Sequence, residues 1–293
     1  MINMENQIVR AVTGDGAIRC FAAVTTQMVD EARKLHNTSP LASAALGRLI
    51  TAAAIMGSML KGERDSITLQ VDGGGPLGRI VAVSDSKSNV KGYVDNNDVW
   101  LPLKNGKLDV GCGVGTDGLL GIVRDFGLKE PYVGKVPLAT GEIGDDIALY
   151  YAKSEQIPSV VALGVLVDKD LSIKAAGGII IQVMPEATEA HINKLEKMVE
   201  SMQPVTQMLE EGFTVEDMVG VSLLGFGSYT MQSVETKYQC DCSRERIEKA
   251  VYSLGKDEIR DIIEKQGKAE LTCHFCNKSY TLEKEELEKM IEE

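Results

Sequence analysis

The sequence predicts an α+β protein with a mixed-sheet N-terminal domain and packed helices, followed by a helical connector and a small, cysteine-rich C-terminal domain. Three features predict this organisation. Short apolar runs joined by short polar links fill the first 184 residues, a long apolar segment with helical spacing begins near residue 40, and four of the six cysteines fall within the last 54 residues. Short links between strands favour antiparallel hairpins over regular βαβ winding.

Composition limits the classes of protein that the chain can belong to. A length of 293 residues allows a sizeable core and a second domain. With 44% hydrophobic and 25% charged residues, the chain has globular values. A formal net charge of −12 argues against nucleic-acid binding, because nucleic-acid-binding domains present basic faces. We expect no membrane span either, because the longest apolar stretch, Leu49 to Leu60, is too short, and no apolar leader opens the chain. A cytoplasmic protein is therefore expected.

The first strong element is a long buried helix. Asn37-Thr38-Ser39-Pro40 supplies capping residues and a proline suited to a first helical turn. Leu41, Leu46, Leu49 and Met56 follow at helical spacing.

Strands are predicted where apolar runs lie between turn residues such as Asp72-Gly73-Gly74-Gly75-Pro76. The predicted strands are Ser66–Val71, Leu77–Val83, Val90–Val94, Gly118–Arg124, Asp146–Tyr151, Val160–Val167 and Gly178–Met184.

Residues 185–235 predict a helical, methionine-rich connector, which divides the chain into domains 1–184, 185–235 and 236–293. Its helices follow from apolar stripes interrupted by Pro204 and from Thr214 with Asp217, which predict a capping box. Six of the 12 methionines fall between residues 184 and 231. Methionine is flexible and polarizable, so these residues either pack the connector onto the first domain or bind varied partners when exposed.

No catalytic residue and no nucleotide site are predicted. Gly113 to Gly118 fits a dinucleotide-binding pattern literally, but the segment leads into a predicted strand rather than a helix, so the glycines predict turns. His36 and His191 are isolated, and a hydrolytic site has no support. Cys20 and Cys112 lack neighbouring cysteines, and we expect both to be buried.

The remaining cysteines predict a metal site. Cys240 and Cys242 form a C-x-C pair, and Cys273 and Cys276 form a C-x-x-C pair about thirty residues later. Four thiolates in two close pairs suit one structural Zn²⁺ ion per chain. His274 is the alternative fourth ligand, but it lies inside a pair that already supplies two sulfurs, so four cysteines are favoured.

Cationic side chains near the ligands can offset the formal charge of −2 on such a site, although solvent can do the same. These residues are Lys237, Arg244, Arg246 and Lys278.

Residues 236–293 predict a small helical unit around the ligands. Ser243 is expected to cap a helix that ends near Gly255, a second helix should end at Gly267, and Thr281 should cap the last helix. A core this small is insecure without metal, because structural zinc contributes on the order of 10–16 kcal/mol of apparent binding free energy in small metal-folded domains.

The C-x-C spacing also predicts redox chemistry. Residues two apart have Cα atoms at most roughly 7 Å apart, so Cys240 and Cys242 can form a disulfide. Such a bond closes a small, strained ring, and strained disulfides are reduced readily. This pair therefore suits a reversible switch.

Both cysteine pairs, with Cys240-Asp241-Cys242-Ser243-Arg244-Glu245-Arg246 and Cys273-His274-Phe275-Cys276-Asn277, resemble the redox-switch domain of the 33-kilodalton heat-shock protein family. The first domain is similar to the same family, and the match runs over nearly the full length of the chain. The matching motifs are Ser43-Ala44-Ala45-Leu46-Gly47-Arg48, Gly73-Gly74-Gly75-Pro76-Leu77-Gly78, Gly141-Glu142-Ile143-Gly144-Asp145-Asp146, Ser154-Glu155-Gln156-Ile157-Pro158-Ser159 and Ala176-Gly177-Gly178.

The resemblance implies an ATP-independent chaperone of the holdase type. It implies that the reduced, zinc-bound form is inactive and that oxidation under unfolding conditions pairs Cys240 with Cys242 and Cys273 with Cys276, with loss of zinc. The switch domain and connector then loosen and expose hydrophobic surface that holds unfolding proteins, often as a homodimer. One departure from the family pattern is the segment 224–230, where a more charged sequence is expected.

Two other functions fit the four cysteines. A zinc-ribbon module that binds protein or nucleic acid is the first, although residues 240–293 carry ten basic and fourteen acidic residues. The second is a thiol oxidoreductase that cycles Cys273 and Cys276, but the βαβ pattern that surrounds such pairs is missing.

Overall fold

The computed structural model describes residues 5–292, except the side chain of Glu292. The chain divides into two compact units at Gln239/Cys240. The first unit therefore includes the whole segment 185–235, and the division of that unit into a core domain and a connector stays a prediction.

The elements of the first unit alternate between short strands and helices. In chain order they are β1 (Gln7–Thr13), β2 (Ile18–Val24), α1 (Thr26–His36), α2 (Pro40–Gly57), β3 (Ser66–Asp72), β4 (Ile80–Asp85), β5 (Asn89–Val94), α3 (Val110–Val114), β6 (Leu119–Asp125), β7 (Tyr132–Pro137), α4 (Gly144–Tyr150), β8 (Ser159–Val167), β9 (Ile173–Val183), α5 (Glu189–Ser201), α6 (Val205–Glu210), α7 (Val215–Ser222), β10 (Tyr229–Glu235) and β11 (Lys237–Tyr238).

These strands form two sheets. Sheet I is antiparallel in the order β10-β1-β2-β9-β8, and sheet II has the order β11-β5-β4-β3-β6-β7. The single parallel pairing in sheet II joins β11 to β5. The α+β class is confirmed.

Helix α2 lies in the core between the two sheets. Ser39 caps it, with the hydroxyl oxygen accepting from the Ala42 N–H at 3.3 Å, and Pro40 begins its first turn. The helix packs against Phe21 and Ile180 of sheet I and against Leu69 and Ile80 of sheet II. Among the residues that the structure describes, α2 is the one helix that by length and composition could cross a membrane, but 89% of it is buried inside the protein, which identifies it as a core helix.

Six of the seven predicted strands are strands, with ends shifted by a few residues. The prediction for Asp146–Tyr151 is wrong: Gly144–Tyr150 is helix α4, which continues into a π-helical turn at Tyr151–Glu155. The buried Asp146 carboxylate accepts hydrogen bonds from the Ala139 N–H at 2.7 Å and the Ile143 N–H at 3.0 Å, so it organises the preceding loop and begins the helix.

The segment that contains Gly113 to Gly118 leads into strand β6, as predicted, but Gly113 itself lies in helix α3 and not in a turn. The loop containing Gly73 packs backbone to backbone against the segment that leads into β6. A Cβ atom on Gly118 would lie 1.9 Å from the Asp72 carbonyl oxygen, so a side chain cannot be accommodated there.

Helices α5, α6 and α7 cover the outer face of sheet I. Leu195, Met208 and Met218 are buried there against apolar side chains of β1, β2 and β9. The capping box at α7 is confirmed, because the Thr214 hydroxyl accepts from the Asp217 N–H at 3.1 Å while the Asp217 carboxylate accepts from the Thr214 N–H at 2.9 Å.

The atypical segment 224–230 joins α7 to β10. Phe226 is buried, its ring stacks on His191 at a centroid distance of 6.3 Å, and Lys194 Nζ lies 5.3 Å from its centre. Strand β10 then pairs with β1 along its whole length. The aromatic ring of Phe226 thus anchors this segment to α5.

The described part of the second unit contains three helices, as the sequence predicts, and also a hairpin that the sequence does not predict. These are α8 (Arg244–Tyr252), α9 (Lys256–Gln266), β12 (Lys268–Thr272), β13 (Ser279–Glu283) and α10 (Lys284–Glu292). Ser243 caps α8 and Gly267 ends α9, as predicted. Thr281 does not cap α10, because it lies inside β13; the Glu286 carboxylate instead accepts from the Glu283 N–H at 2.9 Å.

Candidate metal centre

The four predicted ligands come from two segments of the second unit. Cys240 and Cys242 lie in the extended segment that precedes α8, and Ser243, the capping residue of that helix, follows directly. Cys273 and Cys276 lie in the turn between β12 and β13. The hairpin therefore presents one pair to the segment that carries the other.

Local hydrogen bonds shape the turn of the C-x-x-C pair. The Cys273 N–H donates to the Lys278 carbonyl at 3.0 Å, and the Asn277 N–H donates to the Cys273 carbonyl at 2.8 Å. Asn277 has φ of 53°, in the left-handed region that asparagine tolerates better than most residues. This compact turn holds both sulfurs on one side of the hairpin end.

All four sulfur atoms lie within 4.8 Å of one another. Cys240 Sγ is 3.7 Å from Cys273 Sγ, and Cys242 Sγ is 3.3 Å from Cys276 Sγ. Ligands on a tetrahedral metal with bonds of about 2.3 Å lie about 3.8 Å apart, so the spacing fits one metal ion. Among residues 5–292 this is the group that can hold one, and the exposed His274 is not part of it.

The surroundings of the sulfurs shift the pKa values of the cysteines in different directions. Partial burial raises the pKa of Cys240 and of Cys276. Burial opposes ionisation of Cys242 as well, but hydrogen bonds from Tyr280 and from the neighbouring thiols lower its pKa to about 7. The same hydrogen bond raises the pKa of Tyr280 to about 12. Cys242 is therefore the sulfur that this arrangement favours as a thiolate near neutral pH.

Tyr280 is a site residue that sequence reasoning missed. Its hydroxyl lies 3.1 Å from Cys242 Sγ. It lies in β13, four residues after Cys276. Tyr280 and Leu282 are large residues two positions apart, and both are buried, so this alternation was the sequence signal for a strand here. That signal is invisible while the segment is read as a helix cap.

The cations suggested as charge partners of the sulfurs contact other groups. Arg244 pairs with Glu248 at 3.1 Å and with Glu286, and Arg246 pairs with Asp241. Lys278 Nζ lies 5.1 Å from the Tyr280 ring centre, close to the site but over an aromatic face. Lys237 belongs to the first unit.

The two isolated cysteines differ. Cys20 is fully buried, as predicted, and burial raises its pKa to about 12. The expectation for Cys112 is wrong, because this residue is exposed. It lies on the short helix α3, whose buried side chains are Val110 and Val114, so the opposite face of the helix meets solvent.

The chain that leads to the first ligand is fixed to the first unit. Tyr238 is buried and its hydroxyl donates to the Gly92 carbonyl at 2.8 Å, while the Gln239 N–H donates to the Val90 carbonyl at 2.8 Å. Cys240 is the next residue.

Comparison with known proteins gives one consistent result. The family model described as Hsp33 protein matches residues 6–293. The 33 kDa chaperonin of Alkaliphilus metalliredigens is 48% identical over 291 residues, which cover 99% of this chain and 100% of the relative. The 33 kDa chaperonin of Clostridium botulinum is 46% identical over 290 residues, which cover 99% of this chain and 98% of the relative.

A solved structure agrees with these relatives. The crystal structure of the 33 kDa chaperonin from Thermotoga maritima matches with a TM-score of 0.90 and 37% identity, over 98% of each chain. The chain therefore belongs to the Hsp33 family of redox-regulated chaperones, which is not a family of enzymes.

Proposed function

We propose that this chain is an ATP-independent holdase that is inactive while Cys240, Cys242, Cys273 and Cys276 hold one Zn²⁺ ion, and that oxidation of these four residues activates it. The observation that carries the proposal is the cluster of four sulfurs from two separate segments, all within 4.8 Å.

Zinc is the metal that this ligand set favours. Thiolates are soft ligands, and four of them in tetrahedral spacing are typical of closed structural zinc sites. When bound, the ion cross-links the segment before α8 to the turn between β12 and β13. Hydrogen bonds such as that from Tyr280 to Cys242 orient the ligands in such sites and tune their affinity.

The second unit has little else to hold it together. Its core is a cluster of five buried side chains supported by partly buried neighbours. They are Val251, Ile259, Ala269, Leu282 and Leu287. A core of this size supplies only a few kcal/mol of net stability at most, whereas structural zinc contributes on the order of 10–16 kcal/mol in small metal-folded domains. Loss of the ligands should therefore unfold the unit.

The pairing of the disulfides decides whether oxidation can open the unit. Bonds from Cys240 to Cys273 and from Cys242 to Cys276 would keep the two segments tied together. Bonds within each pair, Cys240 to Cys242 and Cys273 to Cys276, would leave the segments separate, which suits a switch. Each pair of thiolates then loses two electrons as its disulfide forms, and one peroxide molecule per pair accepts these electrons, takes up two protons from solvent and is reduced to two water molecules.

The first unit supplies an apolar surface for client proteins. Helices α5, α6 and α7 cover buried side chains of sheet I, including Val9, Ala22 and Ile181. Met208 and Met218 face the sheet and are fully buried. If these helices detach, a broad apolar sheet face and a methionine-rich segment become available together, and such surfaces bind varied partners.

The remaining assignments follow from charge and from the family. A net charge of −12 favours partners other than nucleic acid or anionic membranes. We propose a cytoplasmic protein whose clients are unfolded or partly folded proteins and whose active form is a homodimer.

The test couples zinc release to chaperone activity. Peroxide with mild heating should release about one zinc ion per chain to a colorimetric chelator. The product should suppress light scattering from an unrelated unfolding protein without ATP, and mass mapping should find Cys240 bonded to Cys242 and Cys273 to Cys276.

Matched serine variants complete the test. Cys240→Ser should bind metal poorly and have a loosened second unit even when reduced, whereas Cys112→Ser should behave as the parent protein. Retained zinc after oxidation, or no suppression of scattering, would refute the proposal, and bonds between the two pairs would refute the pairing.

A further inference from the structure

Two fully buried methionines lie under the helices that cover sheet I. Met208 belongs to α6, which packs on β9, and Met218 belongs to α7, which packs on β1 and β2. Both side chains are part of the apolar cluster on the outer face of the sheet, and neither exposes any surface to solvent. An oxidant in solution therefore reaches neither sulfur while the helices are docked.

The surroundings of these two sulfurs suit a thioether and oppose a more polar group. The sheet contributes apolar side chains to the cluster, among them Ala22, Ile179 and Ile181. Ser222 lies one turn after Met218, but its hydroxyl already donates to the Met218 carbonyl at 2.7 Å. A sulfoxide oxygen is a hydrogen-bond acceptor, and burial without a donor carries the desolvation penalty of an unpaired polar group. Oxidation of either methionine therefore opposes docking of its helix.

Other methionines of the first unit differ from this pair in a useful way. Met28 and Met56 are also buried, but they belong to the core around α2, on the opposite face of sheet I. That core stays covered when α6 and α7 leave the sheet. Met231, in β10, is exposed while the helices are docked. Detachment of the helices thus changes the accessibility of Met208 and Met218 but not that of these three residues.

We propose that Met208 and Met218 are peroxide modification sites that become accessible when the switch opens, and that their sulfoxides keep the chaperone open after the thiols have been reduced again. This modification rests on the proposed function, because the sulfurs become accessible only if cysteine oxidation detaches α6 and α7. It adds a second redox layer to the cysteine switch. Reduction and zinc reverse the cysteine switch, whereas the sulfoxides persist.

The modification needs only the oxidant that the cysteine switch already uses. The thioether sulfur donates a lone pair to one oxygen of hydrogen peroxide, so an S–O bond forms and the O–O bond breaks. Sulfur loses two electrons, and the other peroxide oxygen gains them and leaves as water with both peroxide protons. Dithiothreitol reduces the disulfides, but return of a sulfoxide to the thioether requires methionine sulfoxide reductases, one for each epimer.

Two sulfoxides change the equilibrium between docked and detached helices. A buried polar group without a partner shifts such an equilibrium by roughly tenfold to hundredfold, and each of the two sulfoxides contributes. Reduced, zinc-loaded protein that carries both sulfoxides should therefore keep α6 and α7 detached. It should also keep its holdase activity, because the apolar face of sheet I stays uncovered.

Peptide mass mapping of the full chain follows each methionine separately during peroxide treatment. At a temperature at which the reduced protein retains zinc, Met231 should gain one oxygen while Met208 and Met218 stay unmodified. With mild heating, Met208 and Met218 should be modified after zinc is released, and Met28 and Met56 should remain unmodified. Modification of Met208 and Met218 before zinc release, or their protection afterwards, would overturn the proposal.

Two oxidants separate the effect of the sulfoxides from that of the disulfides. Diamide oxidises thiols to disulfides and leaves thioethers unchanged, whereas peroxide oxidises both. Each sample is activated with mild heating and then treated with dithiothreitol and zinc. The diamide sample should lose its suppression of light scattering, whereas the peroxide sample should retain most of it until both reductases are added. Loss of activity in both samples on reduction alone would refute the lasting effect of the sulfoxides.

Leucine variants identify the sulfurs that are responsible. The double variant Met208→Leu/Met218→Leu keeps apolar side chains of similar volume, so the helices still dock. Met231→Leu is the matched control at an exposed position. After peroxide treatment and reduction with zinc, the double variant should become inactive, whereas the control should stay active until reductase treatment. A double variant that stays active would show that other groups hold the open form, contrary to the proposal.

The two oxidants also distinguish failure of this modification from failure of the holdase switch. If diamide with mild heating releases zinc but gives no activity, the switch itself is refuted. If diamide and peroxide both activate the protein and reduction with zinc reverses both, the switch stands and only the methionine sites are refuted.

Discussion

The Tyr280 hydroxyl lies 3.1 Å from Cys242 Sγ and connects β13 to the C-x-C segment. With the neighbouring thiols, and against the effect of partial burial, this contact lowers the pKa of Cys242 to about 7. A hydroxyl placed in this way does two things for a metal site: it fixes the direction of a ligand and favours its ionised form.

Replacing Tyr280 with phenylalanine should therefore weaken metal binding while keeping all four ligands. Without the donor, the pKa of Cys242 rises and protons compete better with the metal. We expect about 10–100-fold lower metal affinity in a chelator competition at pH 7. Tyr252→Phe, at an exposed tyrosine of the same unit, is the control. Equal affinities of the two variants would mean that the contact has no role in binding.

Metal removal should unfold the second unit alone. Its five buried side chains cannot replace the cross-link, whereas the first unit has a large core around α2. Hydrogen exchange after chelation under reducing conditions should show rapid exchange in β12 and β13 and unchanged protection in β3 and β4. Protection that persists in the hairpin would show that the unit folds without metal.

Truncating a buried methionine of the segment 185–235 should lower the temperature at which chaperone activity begins. Met218 is fully buried against sheet I, and Met218→Ala should destabilise that packing by about 2–5 kcal/mol. Met231→Ala is the matched control, because Met231 is 45% exposed. In a light-scattering assay the reduced Met218→Ala protein should suppress aggregation at milder temperatures than the control. If both variants suppress aggregation from the same temperature upward, packing of the connector does not control activation.

The capping box of α7 predicts a pH dependence. Hydrogen bonds from the Thr214 N–H and hydroxyl lower the pKa of Asp217 below its usual value of 3.8. A depressed carboxyl pKa stabilises the folded state above the unfolded pKa, and this contribution is lost as pH falls through the folded pKa.

Asp217→Ala should therefore be less stable than the parent near pH 7, and the difference should shrink below about pH 4. Urea unfolding of the two proteins between pH 7 and pH 3 measures this difference in the free energy of unfolding. Glu216→Ala, in the same helical turn but outside the capping box, controls for loss of a charge near the helix N-terminus. A difference that stays constant over this range would rule out the cap as its source.

Alkylation should distinguish the two cysteines outside the metal centre. Cys112 is exposed, whereas Cys20 is buried and has a pKa of about 12. Iodoacetamide should label Cys112 in the folded, reduced, metal-loaded protein and should label Cys20 only after unfolding in urea, as read by peptide mass mapping. Labelling of Cys20 in the folded protein would reveal opening of the sheet I face.

Most cap predictions, which depend on neighbouring residues, succeeded, although Thr281 does not cap α10. Caps at Ser39, Thr214 and Ser243 are made by side chains that reach backbone groups within the next turn, so a few letters of sequence specify them. The sequence also located four cysteines whose sulfurs the structure brings together. Where short-range patterns were ambiguous, tertiary contacts decided the structure. The apolar pattern at Asp146 predicted a strand, but the buried Asp146 carboxylate accepts hydrogen bonds from N–H groups of the preceding loop, and a helix begins there instead.

By itself, then, the sequence determined the two close cysteine pairs, most of the helix caps and the α+β class, because each depends on residue types at short spacing. Only the tertiary structure decided that α5 to α7 cover the outer face of sheet I, that Tyr280 reaches Cys242, that Cys112 is exposed and that β8 ends a sheet. These relationships join residues tens to hundreds of positions apart. They follow from strand order and from which face of each element is buried, and neither is encoded in any short stretch of the chain.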